Sequence, residues 1–332
     1  MTAQERHQPF DVVLKANPAI IEQFRAGLLA RLGERPDATE TLRSLGRVCR
    51  TLGDLDEARA CYERLVALVP DDAAARHAAS VLRGRPEPSL FDPNAAMMPP
   101  FVHLKEFLPE PSVELLFEAV ADMADAFRPS AVGYEEDRRI DPEMRRSVTA
   151  LANDRVRALV LDPVRATIAA LGLAERLGVR IGPDGPVMTQ VHCHRGGDFF
   201  TAHRDGTDLR HPRRELTFVY YFHRRPRRFT GGDLYVYDAG LNDELRGDGM
   251  AFTRIEPAHN SLILFPSRAL HEVAPVACDS DDLLDGRLAV TGWMAQEERQ
   301  RGGPSPSGDH GWTSRAGRLL SMAKLVSCAH GV

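Results

Sequence analysis

Two histidines and an aspartate are the residues best suited to do chemistry. His203 and Asp205 stand two apart in GGDFFTAHRDG. In an extended strand, positions i and i+2 project to the same face, so an imidazole nitrogen and a carboxylate oxygen can share one cation. The HxD spacing is weak alone. It gains from His271, which opens the strand-like HEVAPV 66 residues beyond Asp205. Two histidines and one carboxylate leave open positions on an octahedral Fe(II), where a bidentate co-substrate and then dioxygen can bind. Catalytic zinc with the same ligands is the chemical competitor, and it needs a separate general base.

A second feature lies in RLAVTGWM. Arg287 alternates to the same face as Ala289 and Thr291. An arginine inside an apolar strand is costly without an anionic partner. Its fork of donors suits the distal carboxylate of a small diacid. Tyr221, in ELTFVYYFH, can add a hydroxyl to that carboxylate, and Thr291 is a lesser candidate. The bland alternative for Tyr221 is a core aromatic.

These residues need strands to hold them. VMTQVHCH, ELTFVYYFH, GGDLYVYD, SLILFPS, HEVAPV and RLAVTGWM are brief β-type runs between Gly, Pro and charged turns. Such spacing predicts a mainly β chain with flanking helices, a sandwich or jelly roll and not a parallel sheet with crossover helices. No GxGxxG or Walker loop supports a nucleotide fold. Helices are expected within 151–176 and from Ser112 to Phe127, the latter capped by Ser112 and burying Leu115, Leu116, Ala119 and Val120.

The first 88 residues read as helical. Ile20, Ile21, Phe24, Leu28 and Leu29 fall on one side of a helix. Two more helices, about 40–52 and 55–69, meet at Gly53 and Asp54. Leu42, Leu45, Gly46, Cys49, Gly53, Ala58, Tyr62, Leu65 and Pro70 follow in a pattern that resembles a tetratricopeptide repeat (TPR), with Gly46 and Ala58 letting the two helices approach. DAAARHAASVLRG can start a truncated second copy. Residues 89–99 read as a proline-rich linker and 299–332 as a tail with a helix near its end.

Composition narrows the class. The chain has 332 residues, with 42 basic against 47 acidic, a net charge of −5 that speaks against a dedicated nucleic-acid binder. Five scattered cysteines without a CxxC exclude a disulfide framework and a thiolate zinc site. The N-terminus lacks the pattern of a secretory signal, and no apolar run is long enough for a membrane span. A cytoplasmic location is expected.

Residues 100–298 resemble the iron(II)/2-oxoglutarate-dependent dioxygenases of the prolyl-hydroxylase-like branch. GGDFFTAHRDG, LTFVYYFH, FTGGDLYVYD, NSLILFPSRALHEVAPV and RLAVTGWM carry the likeness, in the family's order. The resemblance implies that His203, Asp205 and His271 ligate Fe(II), that Arg287 holds the far carboxylate of 2-oxoglutarate, and that Tyr221 assists. It implies a double-stranded β-helix (jelly-roll) catalytic core, O2 as co-substrate and ascorbate as reductant. The expected reaction hydroxylates an unactivated carbon of a prolyl or other amino-acid residue, or of an amino-acid-derived metabolite, releasing succinate and CO2. Where the family often has tyrosines, this chain has His194 or Cys193 and Phe200. The retained Asp205 speaks against halogenation.

Other expectations concern partners. The arginines at 210, 213, 214, 224, 225, 227 and 228 can steer an acidic substrate, and the acidic segment 278–286 is expected near the pocket mouth. His192, His194, His211, His223 and His259 read more simply as structural or surface residues. The helical region offers a surface for a protein partner; no nucleic acid or membrane is expected. Competing readings are a non-catalytic β-helix binding module, a TPR scaffold, and an oxygenase that tailors a small natural product by hydroxylation or desaturation.

Overall fold

The computed structural model describes residues 18–133, 138–182, 187–206, 214–241 and 251–296. The predicted C-terminal helix, Arg210, His211 and Arg213 lie outside them. Helices α1 (Pro18–Glu34), α2 (Thr39–Leu52), α3 (Leu55–Leu68) and α4 (Ala73–Leu82) come first. Gly53 takes φ 89° to end α2, and Asp72 caps α4 by accepting from Ala75 N at 2.9 Å. A Cβ on Gly46 would lie 2.9 Å from the Tyr62 ring, so only glycine lets α2 and α3 close. On α1 the expectation is only half right. Ile21 and Leu28, one above the other at i and i+7, are buried, while Ile20, Phe24 and Leu29 face outward.

The rest is two antiparallel sheets. The strands are β1 (Val102–Lys105), β2 (Arg128–Pro129), β3 (Arg145–Arg146), β4 (Val148–Leu151), β5 (Val187–His194), β6 (Phe199–His203) and β7 (Arg214–Phe222). They continue as β8 (Thr230–Gly231), β9 (Leu234–Tyr237), β10 (Phe252–Ile255), β11 (Ser261–Pro266), β12 (His271–Val273), β13 (Val276–Ala277) and β14 (Arg287–Ala295). The larger sheet runs β1-β11-β7-β14-β5-β4-β2 and the smaller β10-β9-β12-β6-β3. In chain order β5, β6 and β7 alternate between the sheets, β9 and β10 pair within the smaller one, and β11, β12 and β14 alternate again. This is the jelly-roll winding expected from the sequence.

Alternation along β7 shows how one strand serves two layers. Leu216, Phe218, Tyr220 and Phe222 pack with residues of α5 (Glu110–Ala121) and α6 (Asp154–Leu171). Val219 and Tyr221 turn to the opposite side, into the core shared with Leu234, Val236 and helical residues Leu42, Tyr62 and Leu65. Both faces of β7 are covered, so its run is continuously apolar. Helix α5 begins two residues before the predicted cap, at Glu110, and Leu115 is exposed where burial was expected; Val113 takes the inner position.

The helical region is seated on the sheets. Arg50 of α2 donates to both carboxylate oxygens of Asp238, at 2.8 and 2.5 Å, and to Thr253 Oγ1. His77 bonds to the Met98 carbonyl, and Met98 is itself buried. Among the described residues no helix is long and apolar enough to cross a membrane.

Candidate active site

β6 and β12 lie side by side in the smaller sheet, with His271 directly opposite His203. The strand register therefore brings together histidines that are far apart in sequence. Just past the end of β6, the Asp205 carboxylate reaches both: Oδ1 is 3.6 Å from His203 Nε2, and Oδ2 is 3.5 Å from His271 Nε2. One ligand atom from each of the three residues lies within 4.8 Å of the others.

Hydrogen bonds select the nitrogen that each histidine presents. His203 Nδ1 lies 2.8 Å from the Thr201 carbonyl, and His271 Nδ1 lies 2.9 Å from that of Ala269. A carbonyl can only accept, so Nδ1 carries the proton and Nε2 keeps its lone pair toward Asp205. Burial, reinforced by neighbouring His203, pushes the His271 pKa down to about 4, which keeps the ring neutral. Burial alone would raise the Asp205 pKa. The adjoining imidazoles of His271 and then His203 outweigh it electrostatically, holding the carboxyl well below the usual range. Thr217 Oγ1 donates to Asp205 Oδ2 at 2.9 Å and fixes the carboxylate.

Arg287 lines the same cavity and is 2% exposed. Its Nε donates to the Gly232 carbonyl at 2.6 Å, and a terminal nitrogen donates to the Tyr221 hydroxyl at 3.2 Å. Its guanidinium sits 4.8 Å over the Tyr221 ring. Gly232 adopts φ +72°, and a Cβ there would meet Arg287 Cδ at 2.5 Å, so glycine gives the arginine its berth. Burial raises the Tyr221 pKa despite Arg287, keeping the phenol protonated. Thr291 is buried on the same wall. Among the described residues no carboxylate lies in ion-pair range of Arg287.

The donor set fits Fe(II): two neutral imidazole nitrogens and one carboxylate oxygen on one side, as a facial triad requires. Zinc would accept the same atoms. The buried guanidinium in the same cavity is what a diacid co-substrate explains and zinc hydrolysis does not.

Several wall residues escaped the sequence reading. His192 and His194 read as structural, yet both line the cavity and are neutral, their pKa values pushed well down by burial and then by the charges of Arg145 and Arg287. Phe200 stacks on the His203 ring at 3.5 Å between centroids. Thr217 was legible by period two from Tyr221. His223 and His259 instead face one another outside the cavity, with centroids 5.1 Å apart.

The basic cluster and the acidic segment also need correction. Arg224 pairs with Asp282 and Asp285 at 2.7 and 2.8 Å, Arg225 approaches Glu110, and Arg227 meets Glu256. Arg224 thus joins the two charged stretches, while Arg225 and Arg227 are met by carboxylates elsewhere. No described residue of 278–286 lines the cavity of the triad; Cys278 to Asp281 lie instead beside Arg195 and Asp198.

Comparison with known proteins agrees with this geometry. Residues 189–295 match the model of the 2OG-Fe(II) oxygenase superfamily, and residues 39–82 match that of the tetratricopeptide repeat. An uncharacterised PKHD-type hydroxylase of Synechocystis sp. is 34% identical over 111 residues, 33% of this chain and 37% of that protein. The chain thus spans little more than a third of that curated relative. A Pseudomonas putida prolyl-4-hydroxylase is similar at 20% identity, with a TM-score of 0.41, over 60% of this chain and 93% of the other. A Trichoplax adhaerens prolyl hydroxylase, solved with a hypoxia inducible factor peptide fragment, gives 20% identity and 0.43 over 59% and 83%. The match over residues 189–295 is to an oxidoreductase class that uses Fe(II) and 2-oxoglutarate, and the TPR match precedes it.

Proposed function

We propose that this protein is an Fe(II)- and 2-oxoglutarate-dependent dioxygenase that hydroxylates an unactivated carbon. The acceptor is a prolyl or other amino-acid residue, or an amino-acid-derived metabolite, and succinate and CO2 are released. One observation carries the reading: a histidine–aspartate–histidine cluster with both Nε2 atoms turned inward shares a cavity with a buried arginine that has no carboxylate partner among the described residues.

His203, Asp205 and His271 would hold the iron. Bound there, iron with 2-oxoglutarate supplies the oxidising power for C–H hydroxylation. The residues of the chain position and shield. Arg287 would pair with the far carboxylate of the co-substrate, Tyr221 would donate its phenolic hydrogen to it, and Thr291 would line its path. Thr217 holds Asp205 so that its oxygens stay turned to both imidazoles. Burial of the cavity walls excludes bulk water and strengthens these contacts.

Ascorbate is proposed as the reductant that keeps the iron ferrous, and the cytoplasm as the location. The TPR region is proposed to engage a protein partner. The test is mass spectrometry of candidate peptides and amino acids incubated with the protein, Fe(II), ascorbate and 2-oxoglutarate. A gain of one oxygen with matching succinate is expected. Absence of 2-oxoglutarate turnover under every condition would sink the assignment.

A further inference from the structure

The cavity holds a second guanidinium that the co-substrate does not call for. Arg145, on the two-residue strand β3, pairs with β6 opposite Phe200. Its guanidinium lies 4.6 Å over the Phe200 ring, and that ring is stacked on His203. Nε donates to Ser147 Oγ at 3.0 Å, and a terminal nitrogen donates to His192 Nδ1 at 2.9 Å. Both acceptors are neutral.

Burial lowers the Arg145 pKa to about 10, which still leaves it charged at neutral pH. The carboxylate that acts on it is Asp205, already shared between the two histidines. Among the described residues no carboxylate lies in ion-pair range of Arg145. Arg145 is half-buried, and a partly desolvated charge held only by neutral acceptors is better satisfied once an anion arrives. Arg287, beside Tyr221, suits the far carboxylate of 2-oxoglutarate; Arg145 sits elsewhere on the wall, one aromatic ring from His203.

We infer that Arg145 pairs with a carboxylate of the substrate itself, so that the compound oxidised is a carboxylate-bearing molecule and not an internal prolyl segment with only neutral amides around it. The inference rests on the oxygenase reading above. The carboxylate can belong to a free amino acid, a peptide C-terminus or an acidic side chain beside the target. His192 holds the guanidinium from behind, and Phe200 sets its distance from His203. A planar, bidentate donor favours a carboxylate over a single carbonyl.

The experiment uses the full chain with Fe(II) and 2-oxoglutarate. Free amino acids, L-proline included, are compared with their amides, and peptides ending in proline or carrying a glutamate next to it are compared with acetyl-Gly-Pro-Gly-amide. Stimulation of succinate formation is measured in air, and binding is measured by calorimetry without oxygen. An acid is expected to exceed its neutral counterpart by about tenfold or more in both, as a charge-assisted pair implies. The acid and peptide arms tell which source supplies the carboxylate.

Arg145→Gln should abolish the preference, Arg145→Lys should restore part of it, and the KM for 2-oxoglutarate should stay near the parent value in both. Equal response to acids and amides overturns the inference, as does no response to any acid. A preference that survives in Arg145→Gln overturns it too. A large rise in the 2-oxoglutarate KM on Arg145→Gln would assign the arginine to the co-substrate's near carboxylate instead. Absence of succinate from the parent protein under all conditions would mark failure of the oxygenase reading, a different result from any of these.

Discussion

Arg50 and Arg287 are both buried to 2% exposure, yet among the described residues one meets a carboxylate and the other does not. Arg50 lies between the helical region and the sheets, gripping both oxygens of Asp238. Arg287 lies in the cavity and is held by a carbonyl and a phenol. The first arrangement has its anion within the folded chain and reads as structural. The second lacks its anion, and a buried guanidinium without one is the mark of a ligand that the chain does not supply. Arg145, only half-buried, likewise has no carboxylate in ion-pair range among the described residues.

Substitution should separate the two kinds. Arg50→Ala leaves Asp238 buried and unpaired, so denaturant unfolding should show a loss of about 3–5 kcal/mol, whereas the double change Arg50→Met, Asp238→Leu should recover most of it. Equal losses in single and double variants would break the contrast. Arg287→Ala should cost less, about 1–3 kcal/mol, because it strands only Tyr221 and the Gly232 carbonyl. Its main effect should be a rise of about tenfold or more in the KM for 2-oxoglutarate, read from succinate formation.

Gly46→Val presses methyls on the Tyr62 ring and should destabilise by about 1–3 kcal/mol, with the melting curve as readout. Its 2-oxoglutarate KM should not follow that of Arg287→Ala, since Gly46 touches only the helical pair. Arg224→Ala is the smallest case. Its partners Asp282 and Asp285 sit on an exposed loop, so Tm should barely move and added salt should erase any difference.

Much of this was legible in the sequence because strands write their geometry with a period of two. HxD put His203 and Asp205 on one side, and Arg287, Thr291 and Tyr221 came out on a common wall by the same rule. The winding followed from six short β runs in order. What escaped has no local period. Arg50 meets Asp238 across 188 positions, and nothing in α2 distinguishes it from other helical arginines. Arg145 and Arg146, in MRRSV, were legible only together, as candidates for the pocket mouth. A strand of two residues is too short for alternation to tell which faces inward. His192 and His194 read as structural because their neighbours across the sheet, Ala289 and Arg287, are set by pairing and not by spacing along the chain.

The most direct test of the central claim compares the parent protein with His203→Ala and Asp205→Ala, each given Fe(II) and 2-oxoglutarate. Bound iron and succinate are measured on the same folded samples. The cluster of His203, Asp205 and His271 predicts that the parent retains iron and forms succinate with CO2 in equal amounts. Both variants should lose the metal and the turnover together. Succinate formation by His203→Ala at the parent rate would contradict the account.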